Sequence, residues 1–307
     1  MRVAFFGTPA PAVPALQALL AAPDVDVPLV VTNPDRPRGR GHELAPPPVK
    51  AAALRGGVDV AQPARAPEVA ERLADLGLDA CAVVAYGQLL PQRLLDIPAH
   101  GFVNLHFSLL PAWRGAAPVP ATILNGDRET GVTCFVLEQG MDTGPILATR
   151  TTRVGPSETA CELTERLADL GAPLLVEALT GLVRGTLRPQ PQDHDRATYA
   201  PKIAPSDARI DWRQPAEHVH RVVRAYNPVP GAHTGFRDSR LKIHRVQIVP
   251  ADGTPGTVVA IDSRTGAPVV ACGSEAVRLD LVQPAGKRAM SGEAFVNGYQ
   301  PLGAHLT

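Results

Sequence analysis

Arg2-Val3-Ala4-Phe5-Phe6-Gly7-Thr8-Pro9, running on into Ala12-Val13-Pro14-Ala15-Leu16-Gln17-Ala18-Leu19-Leu20, decides the fold class. Arg2 to Phe6 reads as a strand, the segment from Ala12 to Leu20 is helical, and Val27 to Thr32 is strand-like again. Strand, helix, strand is the βαβ order, which builds a largely parallel sheet covered on both faces. Asp79 to Tyr86 adds a further buried strand. The first turn, Gly7-Thr8-Pro9-Ala10-Pro11, has one glycine and two prolines where a dinucleotide fingerprint needs Gly-x-Gly-x-x-Gly. That disfavours a nicotinamide enzyme.

Working outward, Glu158 to Arg184 carries apolar residues at helical spacing, including Leu163, Leu167, Leu170 and Leu174, with a break expected near Gly171-Ala172-Pro173. Arg188-Pro189-Gln190-Pro191-Gln192-Asp193-His194-Asp195 has linker composition. Beyond it a helical Pro215 to Tyr226 precedes short strand signals at Leu241 to Val249, Gly256 to Ile261, Pro268 to Ala271 and Val277 to Leu281, spaced as in a small β-barrel. The expected division is a first domain over 1–188, a linker over 189–204 and a second domain over 205–307. A chain of 307 residues, 45% hydrophobic and 20% charged, has room for both.

The formal net charge of zero hides an asymmetry. From Pro205 to Thr307 twelve Lys/Arg face nine Asp/Glu, a net of plus three, and the rest of the chain carries minus three. A basic end of this kind fits a nucleic-acid partner, although the difference is small. The start of the chain has no signal-peptide pattern and no apolar stretch reaches membrane-spanning length, so a cytoplasmic protein without a membrane partner is expected. Cys81, Cys134, Cys161 and Cys272 are scattered and read as thiols, not as disulfides or metal ligands. No metal site is expected.

The chemistry is concentrated in Asn104-Leu105-His106 and Asp142. Phe102-Val103-Asn104-Leu105-His106 is a strand of period two, so Asn104 and His106 project from one face about 7 Å apart. Asp142 sits in Gly140-Met141-Asp142-Thr143-Gly144, past the apolar run Thr133 to Leu137. Singly, each has an ordinary structural explanation. Together, an amide, an imidazole and a carboxylate can hold a carbonyl oxygen, stabilise its developing charge and take a proton from an attacking amine, which is acyl-transfer chemistry. Arg36, Arg38 and Arg40 lie among Pro34, Pro37, Gly39 and Gly41 on a loop, where guanidinium groups suit phosphate and base-edge contacts in RNA.

These motifs, with Ser108-Leu109-Leu110-Pro111, Trp113-Arg114-Gly115-Ala116-Ala117-Pro118, Phe6-Gly7-Thr8-Pro9, Pro34-Asp35-Arg36-Pro37 and Gln283-Pro284-Ala285-Gly286-Lys287, resemble the methionyl-tRNA formyltransferase family along almost the whole chain. The resemblance implies a Rossmann-like α/β formyltransferase domain followed by a small OB-like β-barrel that binds tRNA. It implies a formyl group moved from 10-formyltetrahydrofolate to the amino group of methionine on charged initiator tRNA, without a metal. It makes Asn104, His106 and Asp142 the catalytic trio and Ser108, Leu109, Leu110 and Pro111 a folate-contacting segment. Arg36, Arg38 and Arg40 become tRNA contacts, Arg40 chief among them. A sugar-amine N-formyltransferase, a formyltetrahydrofolate hydrolase and a non-catalytic folate- or RNA-binding protein are the competing readings.

Overall fold

Val3–Gly7 is buried at every position, as is Ala80–Val84, because each lies inside a sheet with neighbours on both sides. From one edge the seven strands run Ile146–Arg153, Glu129–Val136, Phe102–His106, Ala80–Val84, Val3–Gly7, Val30–Val31 and Val60–Ala61. The five from Phe102–His106 onward are mutually parallel, and the first two pair antiparallel. The chain moves outward from Val3–Gly7 to Val60–Ala61 and then crosses back to Ala80–Val84 on the other side. This reversal opens a crevice at the carboxyl ends of those two strands, where open α/β sheets bind their ligands.

The computed structural model describes residues 1–38 and 43–307 and divides into two units. The first comprises Met1–Pro118, Glu129–Arg153 and Thr164–Ala200; the second comprises Val119–Arg128, Val154–Leu163 and Pro201–Thr307. In the first unit, one face of the sheet is covered through Phe6, Val83 and Phe102 packed with Leu73, Tyr86, Leu94 and Leu95. On the other, Leu105 meets Gly171, where an added Cβ would come 2.7 Å from a Leu105 methyl.

Two expectations change here. The helix Ala160–Val183 is continuous and contains Pro173, with no break at Gly171-Ala172-Pro173. Leu174, Leu175, Ala178 and Leu179 are buried after it, so packing of the apolar stripe outweighs the hydrogen bond that proline removes. Residues 189–200 are not a free linker. Gln190 bridges Ile146, Gln192 is buried, and Tyr199–Ala200 pairs in parallel with Arg114–Gly115.

The second unit is built on antiparallel strands in the order His233–Phe236, Ser239–Val249, Ala276–Pro284, Pro268–Ala271 and Val258–Ile261, with Met290–Ser291 beside Ala276–Pro284. The last residues of the chain close it. Thr307 exchanges backbone hydrogen bonds with Gly235, while Ala304 and Leu306 bond Val258 and Gly256, so both edge strands gain partners. Barrels remove exposed edges in this way. Trp212, Val223, Phe236, Leu279 and Phe295 fill the interior.

Candidate active site

Asn104 and His106 share one face of Phe102–His106, as their spacing predicts. His106 is buried and its Nε2 lies 2.9 Å from the carbonyl oxygen of Trp113. A carbonyl only accepts, so Nε2 carries the proton and Nδ1 presents its lone pair in the neutral ring. Nδ1 in turn faces Asp142 Oδ2 at 3.8 Å. Burial holds the imidazole below its ordinary pKa, against the opposing pull of Asp142 and of the Trp113 carbonyl. Desolvation outweighs them, so the ground state is neutral; because both neighbours are acceptors, the protonated ring, once formed, finds a partner at each nitrogen. Asn104 is half-buried, and its amide makes no side-chain hydrogen bond among the described residues.

Asp142 reaches this face by a fold-back. Glu129–Val136 runs antiparallel to Phe102–His106, so its carboxyl end lies beside Val103. Residues 137–145 then return along the sheet to bring the carboxylate to His106. Asp142 adopts φ +50, a left-handed conformation uncommon outside glycine. Its Oδ2 accepts the Gly115 N–H at 2.7 Å. The glycines of the motif serve approach: a Cβ at Gly144 would stand 1.8 Å from the Val136 carbonyl oxygen.

Ser108 and Leu110 are buried, and Ser108 donates to the Ala112 carbonyl at 2.5 Å. Thr133 Oγ1 donates to the Ser108 carbonyl and accepts from the Leu110 N–H. The Ser108 hydroxyl and Thr133 thus brace the segment beside His106, in which Leu109 and Pro111 are half-buried. Arg36 is exposed, and the feet of its loop form a two-stranded ribbon, Arg36–Arg38 with Glu43–Ala45, where sequence led us to expect loop alone. Arg40 and the side chain of Arg38 lie outside the described residues.

Sequence reasoning missed two groups. At the crevice, Asn33 donates to Thr8 and to the Tyr86 carbonyl and accepts from Gln88, while Lys50 and Gln62 hold Asp35, whose carboxyl they keep below its usual range. Beside Asp142, Gln192 donates to the carbonyls of Asp142 and Gly144 and accepts from Arg114. The apolar motif context of Arg114 was a signal for burial; Gln192, in proline-rich sequence, gave none. Among the described residues, no group of three or more His, Cys, Asp or Glu is arranged to hold a metal, and no helix is long and apolar enough to cross a membrane.

The family profile described as formyl transferase matches residues 1–179, and the one described as formyl transferase, C-terminal domain, matches residues 202–300. This chain belongs to the formyl transferase family. A methionyl-tRNA formyltransferase of Thermobifida fusca is 48% identical over 302 residues, covering 97% of this chain and 96% of its own. That of Methylococcus capsulatus is 46% identical over 310 residues, covering 100% and 99%. In fold, the chain is similar to HypX of Aquifex aeolicus in complex with tetrahydrofolic acid, with a TM-score of 0.65 at 18% identity over 96% of this chain and 47% of that one. The N-formyltransferase of Helicobacter canadensis, solved with folinic acid and dTDP-3-aminofucose, gives 0.68 at 16% identity over 92% and 98%.

Proposed function

We infer that this formyl transferase moves a formyl group from 10-formyltetrahydrofolate to the amino group of methionine on charged initiator tRNA, and so serves translation initiation. The observation that carries the chemistry is the pairing of a buried neutral His106, its Nδ1 turned to Asp142, with a neighbouring Asn104 amide that has no side-chain partner among the described residues. The substrates follow from the relatives, which are 45–48% identical over nearly the whole chain and carry that name.

In the mechanism, the methionyl amine attacks the formyl carbon and negative charge grows on the formyl oxygen. Asn104 donates to that oxygen. His106 was expected to donate there too, but its Nε2–H is committed to Trp113, so its role becomes proton acceptance. The amine's proton passes to Nδ1, and the resulting imidazolium is held between the Asp142 carboxylate and the Trp113 carbonyl. As the tetrahedral intermediate collapses, the bond from the formyl carbon to N10 of the folate breaks, that proton is returned to N10, and tetrahydrofolate leaves with His106 neutral again. The half-buried Leu109 and Pro111 supply apolar surface for the folate. We assign tRNA contact to Arg36, Arg38 and Arg40 and to the basic domain that follows residue 200, and place the enzyme in the cytoplasm with its charged tRNA.

The test offers the purified protein three formyl acceptors: methionine-charged initiator tRNA, a nucleotide-sugar amine and water. The reading expects transfer to the tRNA to exceed the other two by orders of magnitude in kcat/KM. Faster formylation of the sugar amine, or release of formate at the same rate without tRNA, would replace it with one of the competing activities.

A further inference from the structure

We propose that Gln192, anchored by the buried Arg114, is a positioning residue for this transfer: it sets the backbone on which Asp142 meets His106. The proposal rests on the assignment of Asp142 to proton handling given above. Arg114 is only 2% exposed, and no carboxylate pairs with it among the described residues. Its guanidinium spends its donors on neutral acceptors: Nε and Nη2 reach Gln192 Oε1 at 3.1 and 2.7 Å, and Nη2 reaches His194 Nδ1 at 3.0 Å. A buried cation arranged in this manner is costly unless it fixes something.

What it fixes is the orientation of one amide. The guanidinium can only donate, so Oε1 of Gln192 must face it, and the two N–H groups of Nε2 must point the other way. They donate to the carbonyls of Asp142 at 2.8 Å and of Gly144 at 2.7 Å. These carbonyls flank Thr143, so the chain leaving Asp142 cannot turn without breaking one of these two hydrogen bonds. Such restraint holds Asp142 at its φ of +50, in the left-handed region that few residues other than glycine occupy, although aspartate enters it more often than most. A second hold acts on the side chain, since the Gly115 N–H donates to Oδ2. Gly115 follows Arg114 in the short strand paired with Tyr199–Ala200. Backbone and carboxylate of Asp142 are therefore both positioned from the Arg114–Gly115 segment, once through Gln192 and once directly.

The experiment is a double-mutant cycle in the full-length enzyme with Gln192→Glu and Asp142→Asn, reading kcat and the KM of each substrate. A carboxylate at 192 still accepts from Arg114 but cannot donate to the two carbonyls. Gln192→Asn, which adds no charge and falls one methylene short, serves as the second variant should the first fold poorly. We expect kcat to fall by about 10- to 100-fold, the range for loss of a group that orients a functional one, with both KM values within about twofold of wild type. In the Asp142→Asn background the same change should have almost no further effect, because the group it positions is gone. The proposal is overturned if Gln192→Glu and Gln192→Asn keep wild-type kcat, or if the loss is equally large in both backgrounds, as general destabilisation would give. Should Asp142→Asn alone retain wild-type turnover, the assignment of Asp142 fails and the positioning role fails with it, an outcome visible without either Gln192 variant.

Discussion

Burial of His106 decides its protonation, because removing the ring from water disfavours the imidazolium more than Asp142 and the Trp113 carbonyl favour it. The unfolded chain takes up a proton near the usual histidine pKa of about 6.5. The folded site does so only at lower pH, so this group's contribution to stability is intact above that value and is lost as pH falls through the window below it. Nitrogen NMR of histidine-labelled protein, assigned with His106→Gln, should show a ring protonated at Nε2 that titrates below the ordinary range. Titration at or above about 6.5 would contradict the neutral-base mechanism. Asp142→Asn removes the negative partner of the imidazolium while keeping the shape of the side chain. We expect turnover to drop by about 10²- to 10⁴-fold, the span of general acid–base contributions, with the melting temperature nearly unchanged. That Asn104 and His106 share one face was legible in sequence because a strand's period of two fixes it. Trp113's role was not, since it acts through a backbone carbonyl that any residue would carry.

At the scale of elements, the hairpin connection at 137–145 must fold back close to its own strand. Gly144→Ala would drive a methyl against the Val136 carbonyl, a backbone atom that cannot swing aside. A cost of about 1–3 kcal/mol is expected for such overpacking. Turnover should fall with it, because Asp142 lies two residues away; calorimetry and steady-state kinetics on the variant check both, and unchanged values in each would show that the loop has slack. Arg36 and Arg38 belong to the ribbon strand Arg36–Arg38, paired with Glu43–Ala45. Arg40→Ala should raise the KM for initiator tRNA and leave folate affinity unchanged, and the defect should shrink with salt, since each phosphate contact contributes roughly 0.7–0.9 to the salt slope. Wild-type kinetics at low salt would make this loop a bystander. The parallel core strands were readable as unbroken apolar runs. Pro173 misled because local propensity favours a break, while the stripe around Leu174 and Leu175 is held by tertiary packing. Gln192 misled for the converse reason: proline-rich, polar sequence reads as exposed, and its burial comes from hydrogen bonds to residues distant in the chain.

For the whole molecule, the division of labour between an α/β unit bearing the trio and a β-barrel unit with net positive charge suits an enzyme whose acceptor is large and anionic. The barrel was legible in outline from strand spacing, but the strand His233–Phe236 and the closure by residues 303–307 were not, because closure depends on edge pairing between segments far apart in sequence. The net charge of the barrel predicts that KM for tRNA rises steeply with salt while KM for the folate does not. The most direct test of the account is a matched assay with 10-formyltetrahydrofolate and initiator tRNA, either charged with methionine or uncharged, followed by analysis of what the tRNA carries. The account predicts N-formylmethionine on the charged tRNA and no transfer to the uncharged one. Formate as the product, at a rate indifferent to whether charged tRNA is present, would contradict it.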